Sequence, residues 1–135
     1  MESLLRTMTF DFFGKGMHKI SHDLFFKTRD AVLLDVRTLE EMDSVSFPLK
    51  YHSGHTMQIP LNELPDRLEE VPKNRPVAVL CVSDVRSAMA YLYLQSNGYN
   101  QARILEGGIV GLAEKLKPGA VHKHIANCSA GKDQR

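Results

Sequence analysis

Two unbroken apolar runs limit what this chain can build. Ala31-Val32-Leu33-Leu34 and Val77-Ala78-Val79-Leu80 carry no polar residue on alternate positions, so each must be covered on both faces. That is the signature of a central strand in a parallel sheet with helices on both sides. Shorter strand patterns stand at His18–Ile20, Met57–Ile59 and Ala102–Leu105, giving five strands in all. Helical patterns fall between them. Ser21 can cap a helix running through Phe26, and Thr38 opens one from Leu39 to about Asp43. Leu61, Leu64, Leu68 and Val71 have helical spacing, with Pro65 near the start or at a kink. Residues 86–97 and Ile109–Leu116 complete the set. Strands alternating with helices predict one α/β domain with a largely parallel, five-stranded sheet.

The predicted domain occupies residues 17–117. Ahead of it, Leu4, Leu5, Met8 and Phe12 form one helical stripe, which predicts a short helix packed on the domain within an amphipathic extension, residues 1–16. A dimer contact or a membrane-surface anchor are the other readings of that stripe. Residues 118–135 have few large apolar side chains and are expected to be a flexible tail. A chain of 135 residues is long enough for one core without staples. Its net charge of +1 argues against a strongly basic nucleic-acid binder. No apolar run reaches the ~18 residues of a membrane span, and the opening Met1–Arg6 does not read as a secretory signal. Two cysteines, Cys81 and Cys128, are too few for a disulfide framework, so a reducing cytoplasm is the expected setting.

Ligands of open α/β sheets collect at the carboxyl ends of the strands. Both apolar strands end in reactive groups there. The first leads into Asp35-Val36-Arg37 and the second into Cys81-Val82-Ser83-Asp84-Val85-Arg86-Ser87. A tight loop running from a buried strand into a helix turns successive main-chain N–H groups into one concavity, an anion nest. The helix start adds partial positive charge and Arg86 a full one. A thiol in that place is expected to be a nucleophile at neutral pH. A persulfide would fit the same cradle, being a terminal anion as well. Asp35 and Arg37 are expected to form a structural ion pair or cap near the loop rather than to act as acid and base. Glu40 and Glu41 are accounted for by a helix N-terminus.

The chain resembles the rhodanese-like, single-domain sulfurtransferases from about Ile20 to Leu116. The resemblance rests on Leu33-Leu34-Asp35-Val36-Arg37 with Glu40-Glu41, then Ile59-Pro60-Leu61-Asn62-Glu63-Leu64. It continues with the strand into Cys81 with Arg86-Ser87-Ala88, then Gly98-Tyr99 and Leu105-Glu106-Gly107-Gly108-Ile109. It implies a three-layer rhodanese-like fold and a ping-pong reaction. Cys81 takes a sulfane sulfur from thiosulfate or a persulfide and passes it to cyanide, a thiol or a protein cysteine. Val82, Ser83, Asp84, Val85 and Arg86 would line the substrate site, with Arg86 orienting an anionic donor. No metal or organic cofactor, nucleic acid or membrane span is implied, and the oligomeric state is left open. Cys81 through Arg86 spans six residues. Phosphatases of similar fold use a loop one residue longer, so the length favours sulfur over a phosphatase or arsenate reductase. A non-catalytic interaction module is the other alternative.

The chain departs from the family pattern at Asp84, where a glycine or neutral residue is usual, and between Met42 and Ile59. His52 and His55 both compete for the family's histidine position, and neither has the second ligand pair a zinc site needs. Cys128-Ser129-Ala130-Gly131-Lys132-Asp133-Gln134 resembles a tyrosine-phosphatase loop, but glutamine stands where the arginine belongs. Cys128 is more naturally a mobile thiol able to accept sulfur from Cys81.

Overall fold

The computed structural model describes residues 1–44, 56–82 and 84–115. Five strands form one sheet: β1 (Lys19–Ile20), β2 (Val32–Asp35), β3 (Thr56–Gln58), β4 (Val77–Leu80) and β5 (Ala102–Leu105). Their order across the sheet is β1-β5-β4-β2-β3, and every neighbouring pair is parallel. The two apolar runs, β2 and β4, lie side by side in its middle, with Leu34 opposite Val79 and Asp35 opposite Leu80. The α/β fold expected from the sequence is the fold observed.

Alternation along the strands sorts the core into two layers. Val32 and Leu34 of β2, with Val77, Val79 and Cys81 on the β4 line, join one cluster. That cluster is closed by Leu64 of α5 (Leu64–Arg67) and by Ala90 and Leu94 of α6 (Val85–Ser96). Leu33, Ala78 and Leu80 face the other way. They meet Phe25 of α3 (His22–Lys27) and Leu112 of α7 (Gly108–Lys115). Each fully buried aliphatic side chain contributes about 1.5–3 kcal/mol, so two dry layers suffice for a sheet of this size.

Local signals set the element ends. The Ser21 hydroxyl accepts from the Leu24 amide and starts α3. Pro65 sits in the first turn of α5, and one-turn 3-10 segments at Leu61–Glu63 and Leu68–Glu70 flank it. The apolar face predicted there is real, because Leu64 and Val71 are buried, but no single helix carries it. The N-terminal extension also divides. It forms α1 (Glu2–Thr7) and α2 (Phe10–Gly14), and no residue of either is buried. The Thr9 side chain accepts from the Phe12 amide and begins a second helix where one was expected. Leu5 of the stripe is 49% exposed, so the extension is not packed on the domain along its whole stripe. The tail from 118 onward and the stretch holding His52 and His55 lie outside the described residues. So does Cys128. No helix among the described residues is long and apolar enough to cross a membrane.

Leu34, fully buried between β4 and β3, reports the integrity of the layers. Leu34→Ala is expected to lower unfolding free energy by about 2–5 kcal/mol, read from urea unfolding with an unchanged m value.

Candidate active site

Cys81 follows β4 directly and keeps the phase of Val77 and Val79. The two-residue period therefore turns its side chain to the α6 side of the sheet. There it meets the start of α6. The first amides of a helix have no acceptor within it. The Ser87 amide, third in α6, finds one in the Cys81 sulfur, with N to Sγ at 3.3 Å. An N-cap aspartate would ordinarily accept from that amide. Asp84 holds the N-cap place but makes no side-chain cap bond, because its backbone is left-handed, with φ 70°. The sulfur thus replaces the cap oxygen. The amides of Val82, Asp84, Val85 and Arg86 donate to no other described residue. Ser83 lies outside the described residues. Cys81 itself is 1% exposed.

The opposite wall comes from the end of β2. Asp35 and Arg37 form the expected ion pair, buried and multiply bonded. Arg37 donates from Nη2 at 2.7 Å and from Nε at 2.9 and 3.1 Å, and its amide reaches Oδ1 at 3.1 Å. Arg37 Nη1 also donates to the Glu41 carbonyl at 3.3 Å, which ties β2 to α4 (Leu39–Ser44). Glu41 then reaches across. Its two carboxylate oxygens accept from Nη1 and Nη2 of Arg86 at 2.6 and 2.8 Å. Oε1 also accepts from the Thr38 amide at 2.9 Å, while the Thr38 hydroxyl accepts from the Glu41 amide at 3.3 Å. This reciprocal capping box fixes α4 and aims Glu41 at the guanidinium. The Arg86 bond, followed by that from Thr38, holds the Glu41 carboxyl down at about 2. Glu41 in turn raises Arg86, with Cys81 and Asp35 adding to its preference for charge.

The floor of the loop is closed by the turn after β5. Gly108 has φ +58°, and a side-chain carbon there would stand 2.8 Å from the Cys81 carbonyl and 2.9 Å from that of Val82. The Ile109 amide donates to the Cys81 carbonyl at 2.9 Å. Only glycine lets α7 start so close to the thiol-bearing loop.

Of the residues expected from sequence, Cys81, Val82, Asp84, Val85 and Arg86 are gathered at one strand end. Glu41 was missed as a site residue. Its role at a helix start was legible, but its partnership with Arg86 spans two strand-end loops. The Thr38-to-Glu41 capping spacing fixes the carboxylate at its own helix start, without naming the loop it meets.

A cysteine at the end of a central parallel strand, under a helix start and beside an arginine, narrows the search among known proteins. The sequence model of the rhodanese-like domain matches residues 22–115. The chain belongs to the rhodanese-like domain family. A relative named sulfurtransferase from Allochromatium vinosum is 36% identical over 91 residues, covering 67% of this chain and 79% of that protein. The crystal structure of a rhodanese-like domain protein from Staphylococcus aureus superimposes with TM-score 0.59 and 30% identity, over 70% of this chain and 90% of that one. The human single-domain sulfurtransferase TSTD1 shares the fold, with TM-score 0.61 at 22% identity, over 74% of this chain and 98% of that one. This rhodanese-like chain thus has sulfurtransferases among its relatives.

The ion pair across the site has an acid signature. Glu41 is depressed in the folded chain, from 4.5 to about 2. Its stabilising effect is therefore complete above about pH 4.5 and is lost as pH falls toward 2. Glu41→Gln is expected to cost about 1 kcal/mol at neutral pH, after solvent screening of a pair one-third exposed. The difference from wild type should vanish near pH 2, as read by urea unfolding across that range.

Proposed function

We propose that this chain moves sulfane sulfur through a Cys81 persulfide. The observation that carries this reading is the Cys81 sulfur held by the α6 amide of Ser87 at 3.3 Å, at a strand end in a family with sulfurtransferase relatives. Cys81 thiolate attacks the outer sulfur of a donor R–S–SH. The new Cys81 S–S bond forms, the donor S–S bond breaks, and its electron pair leaves with R–S⁻. An acceptor thiolate or cyanide then takes the outer sulfur and returns Cys81 as thiolate. The main-chain amides of Val82, Asp84, Val85 and Arg86 hold the terminal sulfur anion of the intermediate.

The donor best suited to this site is a persulfide, carried by a small thiol or by a protein, rather than thiosulfate. Three features support that. Arg86 already has its charge met by the two oxygens of Glu41. Asp84 adds a carboxylate in the loop itself, and its Oδ1 lies toward Gly108. A dianion at a few ångströms from such a carboxylate meets about 1–4 kcal/mol of repulsion near a protein surface. The near-complete burial of Cys81 also favours a sulfur borne at the tip of a slender group.

Intact mass after treatment with glutathione persulfide should rise by ~32 Da, reversibly with reductant, and the gain should be absent in Cys81→Ala. An unchanged mass across thiosulfate and persulfide donors would leave the interaction-module reading in its place. Asp84→Gly is expected to raise the rate with thiosulfate by about tenfold, equivalent to ~1.4 kcal/mol, and to change the persulfide rate little. A clear wild-type preference for thiosulfate, unimproved by that substitution, would end the donor assignment.

A further inference from the structure

The solvent-facing side of α6 carries no free charge. Ser87, Ala90, Tyr91 and Leu94 form its buried side. Val85, Met89, Leu92 and Ser96 recur at steps of four, three and four residues, so they line the opposite side in one row. Val85 is 60% and Met89 55% exposed, and Leu92 is half-buried. Arg86 is the one charged residue of the helix, and Glu41 already grips it with two oxygens. A surface helix ordinarily wears charge on its outer side, and in a chain with 24% charged residues its absence calls for a reason.

The row has two defined ends. One is the thiol-bearing loop, where Val82 is also exposed and Cys81 Sγ meets the Ser87 amide. The other is the N-terminal extension, where the exposed Met1 brings its Sδ to 3.7 Å from the Ser96 hydroxyl oxygen. Apolar side chains exposed singly are ordinary on a protein surface. This row is continuous, and it leads into a reactive sulfur. The 12 residues of α6 span about 18 Å. A small thiol would touch the loop end alone, whereas a polypeptide covers the length.

We propose that the row from Val85 to Ser96 seats the sulfur acceptor, a protein whose cysteine stands at one end of an amphipathic helix. The proposal rests on the sulfur-transfer reading above and names its partner. The apolar side of the partner's helix lies along α6 while its cysteine enters the loop. Cys81 is 1% exposed, so an acceptor thiolate has to be held at the loop mouth, and the row supplies that hold. The uncharged side also selects by exclusion, because an acidic or basic segment would lose hydration there with no counter-charge to meet it. In the transfer itself the partner's thiolate attacks the outer sulfur of the protonated persulfide Cys81–S–SH. The new S–S bond forms, the bond to Cys81 Sγ breaks, and its electron pair stays on Sγ. The outer sulfur leaves on the partner with its proton.

The test is Met89→Gln in the full chain, with Met89→Leu as the apolar control, both in a Cys128→Ser background so that one thiol is read. The acceptors are glutathione and two peptides of about twelve residues, each with one terminal cysteine. One peptide carries leucines at three- and four-residue spacing, and in the other serines replace them. Single-turnover discharge of the preloaded Cys81 persulfide is compared at equal thiolate concentration. The parent should discharge to the leucine peptide about tenfold faster than to the serine peptide. Met89→Gln should slow the leucine peptide by about fivefold and Met89→Leu should preserve it, with the glutathione rate held within about twofold. The same peptides bearing a maleimide in place of cysteine should show the same preference in alkylating Cys81, a reaction that needs no persulfide. Equal rates for the two peptides with either chemistry would overturn the proposal. So would a parent dimer in sedimentation that Met89→Gln dissociates, which would give the row to a second copy of the chain. If the parent never loads sulfur, the transfer reading fails on its own, and the maleimide peptides still decide whether α6 seats a polypeptide.

Discussion

The two-residue period of a strand buried on both faces is the constraint from which this site follows. A strand wet on one side tolerates a slipped register, because only half of its residues have an assigned neighbour. β4 has no such freedom. Val77 and Val79 must face α6 and α5, while Ala78 and Leu80 must face α3 and α7. Cys81 inherits its direction from that alternation and lands beneath the helix start. The thiol is aimed by the hydrophobic core, and the Ser87 amide then meets its sulfur.

The walls of the site are tied to that strand by polar links between neighbouring loops. Asp35 holds Arg37, Arg37 holds the Glu41 carbonyl, and Glu41 holds Arg86. Each link satisfies groups that burial would otherwise penalise. The result is a loop after β2 that braces the loop after β4. Its electrostatic consequence is equally direct. The guanidinium beside the thiol brings little unmatched positive charge, since a carboxylate already grips it with two oxygens.

Much of this was legible in the residue order. The apolar runs and the alternation of helices and strands dictated the parallel sheet, its central pair and the strand end that gathers Cys81 and Arg86. Asp35 with Arg37 could be paired from proximity alone. What the sequence hid was contact between distant segments. Glu41 lies 45 positions from Arg86, and nothing in its local spacing reveals a partner in another loop. The left-handed backbone of Asp84 was hidden too, because aspartate carries no obligation to adopt it, as glycine would nearly announce. The broken helices at Thr9 and around Pro65 show a third limit. Apolar spacing names the face that will be buried, whereas caps and prolines decide whether one helix or several present it.

The burial of Cys81 has a protective side. Thiolates exposed to peroxide climb from sulfenic to sulfinic acid, and the later rungs are not reversed by ordinary thiols. A sulfur 1% exposed is shielded from such oxidants in bulk solvent, while the Ser87 amide reaches it from inside the fold. The fold thereby separates reactivity from vulnerability. On the proposed reading, it keeps the transferring sulfur durable by limiting who can reach it.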